Sequence, residues 1–408
     1  MKHINGKYTH AKIFTDVVDE SAVQQIQELC DQEFLKDVTI RVMPDVHAGK
    51  GCTIGTTIKI KDKVVPNLVG VDVGCGVLTV QLKERDIDFA RLDRVIREYV
   101  PSGQSIHEDL RNVNIEYLND FKMKNILSEA KFNKSLGTLG GGNHYIEVSK
   151  DEEGKLYLSI HTGSRYVGST IANYYQKLAF QELKRIDISH IIERLKSEGR
   201  HREIEITIKK LNESNPKIKK ELAYLEGKYF NHYIHDMKLA QKYAVNNRQE
   251  IANIIITHMN LNKEDEFDTI HNYIDTENMI LRKGAVSAQK GERLIIPINM
   301  RDGSIIATGK GNPDWNYSAP HGAGRVLSRS MARKQLELND YQNTMKNVWT
   351  TSVSTETIDE APMAYKRMED ILDNIGDTVE IKKIIQPVYN FKAAEEPKIW
   401  MKKKKARG

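Results

Sequence analysis

Gly70-Val71-Asp72-Val73-Gly74-Cys75-Gly76 sets one carboxylate and one thiol among three glycines. Hydrophobic residues flank the run, Leu68-Val69 before it and Val77-Leu78-Thr79-Val80 after it, and predict buried strands on both sides. Glycine tolerates positive φ and close approach, so a tight loop here brings Asp72 and Cys75 to one point at a strand end. A metal suits that place. A buried structural cysteine in a glycine-rich turn suits it too, because free cysteine is usually inert and buried. The rest of the chain has to separate the two.

Upstream, the pattern predicts a helix from Ser21 to about Glu33, capped at Asp19 or Ser21, and a strand over Thr39–Met43. A polar loop follows, Pro44-Asp45-Val46-His47-Ala48-Gly49-Lys50-Gly51, and then a strand over Thr56–Ile60. Downstream, helical periodicity covers about Asp88–Tyr99 and Asn114–Leu127. Gly140-Gly141-Gly142-Asn143-His144 then enters an alternating strand, and Leu156–Ile160 is a second strand that ends at His161-Thr162-Gly163-Ser164-Arg165. Because these glycines lead into a strand and not a helix, they are not a dinucleotide fingerprint, and no G-x-x-x-x-G-K-[ST] loop occurs.

From about 170 to 260 the chain is charged and helical in period, with breaks near Gly199 and Asn215-Pro216 and a last helix from about Asn231 to Ile256. His190, His201, His232, His235 and His258 lie there without glycine or carboxylate settings and read as ordinary helix or surface residues. Sheet patterns resume after His271, over Met279–Arg282, Arg293–Asn299 and Ser304–Ala307. His321-Gly322-Ala323-Gly324-Arg325 is expected to open a helix from Val326 to about Leu338, with Arg325, Arg329 and Arg333 on one face. A further helix is expected from Asp359 through Leu372.

The 408 residues carry 39% hydrophobic and 29% charged side chains. No apolar run approaches the roughly 18 residues of a membrane span, and the N-terminus lacks a secretion signal, which predicts a cytoplasmic protein with no membrane partner. Three cysteines make no disulfide framework. The net charge of +5 is carried by the tail: Lys398–Gly408 holds six cations and no acid, so the remainder is slightly acidic. Net charge therefore gives no argument for nucleic acid outside that tail.

Asp72, Cys75, His144, His161 and His271 together supply oxygen, sulfur and nitrogen donors from strand ends or glycine settings. Mixed donors of this kind favour manganese, zinc, iron or cobalt over magnesium or calcium. Five exceed what one open catalytic ion needs, so two ions clamping a phosphoryl group fit the count. His321, among glycines and arginines, has the setting of a nucleophile toward phosphorus.

Met43-Pro44-Asp45-Val46-His47, Gly70–Gly76, Gly142-Asn143-His144, His161–Arg165, His271-Asn272, Arg282-Lys283-Gly284-Ala285 and His321–Arg325 together resemble the RtcB family of RNA ligases, in order and from about Met43 to Lys392. The resemblance implies an α+β fold of mixed and antiparallel sheets around a central metal and nucleotide pocket, with residues 1–397 as one catalytic domain, 170–260 as a helical segment and 398–408 as a basic tail. It implies a GTP- and manganese-dependent ligase that joins an RNA 3′-phosphate or 2′,3′-cyclic phosphate to a 5′-hydroxyl, in RNA repair or tRNA splicing, with an archease-like activator as a potential partner. Asp72, Cys75, His144, His161 and His271 fall on the ligands of two manganese ions, with Cys75 shared, and His321 falls on the guanylylated histidine. Asn143, Glu147, Ser304, Ala323, Gly324 and Lys392 fall on GMP-binding positions, and Asn299 stands where relatives have a serine. Asp45, Arg165, Lys283 and Arg325 match polar positions near the nucleotide and RNA phosphates. Asn299, Pro320 and the extension past Lys392 depart from the family pattern and imply a divergent branch of bacterial type. A two-metal phosphatase or nuclease would use the same ligands without GTP, and an RNA-binding protein with a structural metal would use the tail.

Overall fold

Apolar and β-branched residues, buried along nearly the whole length of the central strands, make most of this chain's sheet structure, which assembles into two large sheets. The computed structural model describes residues 1–110, 116–184, 188–208 and 219–394. The break expected at Asn215-Pro216 and the basic tail lie outside the described residues. The first sheet has the order Lys2–Asn5, His10–Ile13, Ile40–His47, Ile54–Lys59, Ile280–Lys283, Asn272–Asp275, antiparallel except where His10–Ile13 runs parallel to Ile40–His47. The second is antiparallel throughout, in the order Lys263–Ile270, Gly76–Leu82, Leu156–Thr162, Tyr145–Lys150, Val379–Phe391, Gly303–Gly309, Arg293–Asn299. With helices packed on these sheets, the fold is α+β, as expected.

One helix, Gly227–Met259, ties the two cores together. At 1.5 Å per residue its 33 residues span roughly 50 Å. Tyr233, Met237, Ala240 and Tyr243 enter the core under the first sheet, and Ile251, Ala252, Ile254, Ile255 and Met259 enter the core under the second. These positions repeat at three and four residues, the period of a helix face. Asn260, in the left-handed region at φ 57°, ends the helix, and its N–H returns to the carbonyls of Ile256 and Thr257.

Several expected elements differ. Leu68-Val69 closes a one-turn helix, Pro66–Val69, and not a strand, because Pro66 at its first position pre-sets helical φ. Pro44–His47 is not a loop but the end of the Ile40–His47 strand, irregular in register after Val42, with Oδ2 of its polar Asp45 accepting from His321, far along the chain. Over the described part of Asn114–Leu127 there are only two 3₁₀ turns, Glu116–Asp120 and Lys124–Ile126. The N–H groups of Lys122 and Met123 go to the Asp236 carboxylate on the long helix, which replaces intrahelical bonds. The expected helix after Arg325 starts only at Arg329, capped by Ser328, and runs to Gln335. Asp359–Leu372 breaks into two 3₁₀ turns around Pro362 before a helix from Met368 to Ile375. The helix expected near Ser21 is Glu20–Cys30, capped by Asp19.

Candidate metal centre and nucleotide cavity

Strand register gathers the sulfur and nitrogen donors. Ile270 pairs with Gly76, and Gly76 with Thr162, while His161 pairs with both Val77 and Tyr145. Cys75, His271, His161 and His144 therefore stand at one end of four neighbouring strands. Asp72 joins them through the tight loop: the Cys75 N–H donates to the Asp72 carbonyl, and Gly74 N–H to the carbonyl of Asn272. Gly74 has φ 72° and a Cβ there would lie 2.8 Å from the Gln241 Cα, so only glycine lets the loop seat on the long helix. A Cβ on Gly163 would overlap the Asp72 carboxylate at 2.0 Å.

The donors fall into two groups that share the thiol, Asp72-Cys75-His144 and Cys75-His161-His271. Cys75 Sγ lies 3.5 Å from His144 Nε2 and 3.3 Å from His161 Nε2, which is 3.3 Å from His271 Nε2. His144 Nε2 lies 2.8 Å from Asp72 Oδ2. The other nitrogens of two rings are committed: His144 Nδ1 donates to the Leu139 carbonyl at 2.9 Å and His161 Nδ1 to that of Asn143 at 3.2 Å. Their Nε2 lone pairs are thereby aimed inward. Nitrogen lone pairs facing a carboxylate and one another repel unless a proton or a cation stands among them, and a cation can serve all of these donors at once, so this donor set fits metal.

Electrostatics agree. Burial, joined by the neighbouring His144 charge at His161 and the His321 charge at His271, holds both imidazoles well below their usual range, as neutral ligands. Burial and then the Asp72 charge raise the Cys75 thiol, so a cation has to displace its proton. For Asp72 burial acts upward, but the His144 contact and the Arg165 charge outweigh it and keep the carboxyl ionised.

Beside these donors lies a cavity of about 270 Å³, just under the roughly 300–1,000 Å³ of small-molecule sites. Both sheets wall it. Tyr145 and Glu147, two residues apart, share a face with His161 and Asn390, their cross-strand partners. His321 enters from the other side, just after the Ser318–Pro320 strand, with its ring centroid 4.8 Å from that of His271. Its Nδ1 donates to Asp45 Oδ2 at 2.6 Å, which leaves Nε2 for the cavity. The buried Lys366 ammonium donates to the carbonyls of Pro44 and Val46 on either side of Asp45, placing positive charge by that carboxylate.

Of the nucleotide candidates, Asn143, Glu147, Asn299, Ser304, Ala323, Gly324 and Lys392 all line the cavity. Asn299 is partly committed: its amide donates to Asp302 and its carbonyl caps the hairpin turn. The Lys392 ammonium lies 2.9 Å from Glu360. Of the phosphate candidates, Arg325 reaches the cavity but is held by Glu360, Tyr365 and the Asp359 carbonyl. Arg165 is not at the cavity wall; its guanidinium packs on Gly140, 3.4 Å from His144 Nδ1. Lys283 is buried against the carbonyls of Lys50 and Asn67 and does not face the cavity. His321 does not precede a helix N-terminus as expected; the arginines instead converge on Asp359 and Glu360 through long-range ion pairs.

The sequence did not single out Tyr145, Asn390, Glu360, Tyr365 and His47 as site residues, yet all line the cavity. Alternation from Glu147 would have reached Tyr145. Glu360 and Tyr365 carry no local signal.

Paired donor groups around one thiol, opening on a polar cavity with an aspartate-held histidine, define a candidate centre for phosphoryl chemistry in an α+β protein. The family model described as tRNA-splicing ligase RtcB matches residues 25–131 and 107–393. The chain is 32% identical over 406 residues to the RNA-splicing ligase RtcB of Escherichia coli (strain K12), covering 89% of this chain and 92% of that protein. It is 26% identical to the tRNA-splicing ligase RtcB of Aeropyrum pernix, over 81% and 82%, and 25% identical to that of Archaeoglobus fulgidus, over 88% and 87%. The chain belongs to the RtcB family and is an RNA ligase.

Proposed function

We propose that this ligase joins RNA ends bearing a 3′-phosphate or 2′,3′-cyclic phosphate to ends bearing a 5′-hydroxyl, at the expense of GTP, through a GMP adduct on His321. The observation that carries this is the Asp45–His321 pair: with Nδ1–H held by the carboxylate, Nε2 presents its lone pair to the cavity. A two-metal phosphatase or nuclease built on the same donors would not need a histidine nucleophile there. In the cycle, His321 Nε2 attacks the α-phosphorus of GTP and pyrophosphate leaves. GMP then passes to the RNA 3′-phosphate, and the 5′-hydroxyl attacks that activated phosphate and expels GMP. Water first opens a cyclic phosphate.

Glu147 faces the guanine, and Asn143, Ser304, Ala323, Gly324 and Lys392 surround the rest of the nucleotide, with Asn299 in a serine's place. Arg325 serves phosphate from the cavity wall, whereas Arg165 and Lys283 act from behind it, through His144 and through the loop carbonyls. Asp72, Cys75, His144, His161 and His271 would hold two manganese ions, which supply charge neutralisation at phosphate oxygens. Residues 1–397 act as one catalytic domain in the cytoplasm, in RNA repair or tRNA splicing, with an archease-like protein as activator.

His321→Gln tests the reading. It should join no ordinary 3′-phosphate RNA with GTP, yet still seal RNA carrying a preformed 3′-diphosphoguanosine end. Parent-like joining of ordinary ends by this variant would overturn the role of His321.

A further inference from the structure

Two histidines, and not one, hang from Asp45 at the cavity wall. His321 Nδ1 donates to the Asp45 carboxylate, and His47 Nδ1 lies 2.9 Å from the Asp45 backbone carbonyl. A carbonyl only accepts, so His47 Nδ1 carries the hydrogen and, in the neutral ring, Nε2 carries the lone pair. Among the described residues His47 Nε2 has no hydrogen-bond partner, and His47 lines the same cavity as His321. We propose that His47 is a catalytic-site residue whose Nε2 accepts a hydrogen bond from a ribose hydroxyl of the substrate.

Burial pushes the His47 imidazole down to about 4, against the pull of Asp45, so it is neutral throughout the neutral range. A base that weak leaves the hydroxyl its proton, which makes it an acceptor that positions the group and not a general base. Two hydroxyls answer this description: one on the ribose of GTP, and the terminal 5′-hydroxyl of the incoming RNA. The inference rests on the ligase cycle proposed above.

His47→Asn keeps a donor where Nδ1 stood and removes the atom at Nε2, whereas His47→Gln places an amide oxygen near Nε2. Each variant and the parent are assayed in two arms: GMP adduct formation from GTP, and sealing of RNA with a preformed 3′-diphosphoguanosine end. One neutral hydrogen bond is worth roughly a factor of ten. If the hydroxyl is on GTP, His47→Asn slows adduct formation about ten-fold and slows sealing as well, because the preformed end carries the same guanosine; deoxy-GTP lacking that hydroxyl then costs the parent the same and the variant nothing more. If it is the RNA 5′-hydroxyl, only sealing slows. Loss confined to sealing, or loss in both arms that deoxy-GTP reproduces in the parent, supports the inference when His47→Gln recovers it. Loss in neither arm, loss in both that deoxy-GTP does not reproduce in the parent, or loss that His47→Gln does not recover overturns it. A parent that forms no adduct strikes at the cycle, while the sealing arm still tests His47.

Discussion

Glu147 is a carboxyl buried in the cavity wall, accepting from Ser149 Oγ and from Asn390 Nδ2, each at 2.8 Å. Burial raises it to about 7, beyond what those two bonds and the Lys392 charge offset. The fold therefore prefers it protonated: its contribution to stability is present below the usual carboxyl range and is lost as pH rises through about 7. Guanine offers ring N–H and amino donors, which need the ionised form, so GTP binding pulls the other way. The KM for GTP should fall as pH rises from about 6 to about 8. Glu147→Gln should flatten that dependence and raise KM at the upper end about ten-fold or more, since hydrogen bonds to charged groups are worth roughly 1.5–3 kcal/mol. Adduct kinetics across pH decide this, and a parent KM independent of pH would remove Glu147 from the guanine.

Among the elements, the Gly227–Met259 helix braces the candidate metal donors without supplying one. Arg248, fully buried, makes a two-pronged pair with Asp268 at 2.6 and 2.5 Å and donates to the carbonyls of Gly74 and Thr162, each at 2.9 Å. Those carbonyls adjoin Cys75 and His161. Asn247 beside it holds Gly137, Thr138 and Gly163. Arg248→Met strands a carboxylate and two carbonyls, which costs about 3–5 kcal/mol by analogy with other broken buried pairs. Denaturant unfolding should show that loss, and bound manganese measured by elemental analysis should fall with it; unchanged metal content would separate the helix from the centre. The sequence already showed Cys75, His144, His161 and His271 because strand alternation and glycine settings are local signals. The arginines at 325, 329 and 333 misled, since helical spacing is local while the acids that bind them lie some thirty residues on. Asp45 in a strand was equally hidden, its partner being 276 residues away.

Across the whole molecule, two sheets meet at a cavity, one bringing His47 and the other Glu147 and the strand ends that carry the candidate donors. No helix among the described residues is long and apolar enough to cross a membrane. The six cations of Lys398–Gly408 follow Lys392, the last cavity residue among the described residues, so deleting them should leave the GMP adduct intact. RNA affinity should weaken at most and lose part of its salt dependence, as counterion release requires; loss of the adduct on deletion would place the tail in the active site. In the proposed cycle His321 carries GMP between GTP and RNA. Mass spectrometry of the protein after incubation with GTP and Mn²⁺ tests it most directly: a single GMP added on His321, absent without the metal and discharged by RNA with a 3′-phosphate, is the predicted result. An unmodified His321, or GMP on another residue, would contradict it.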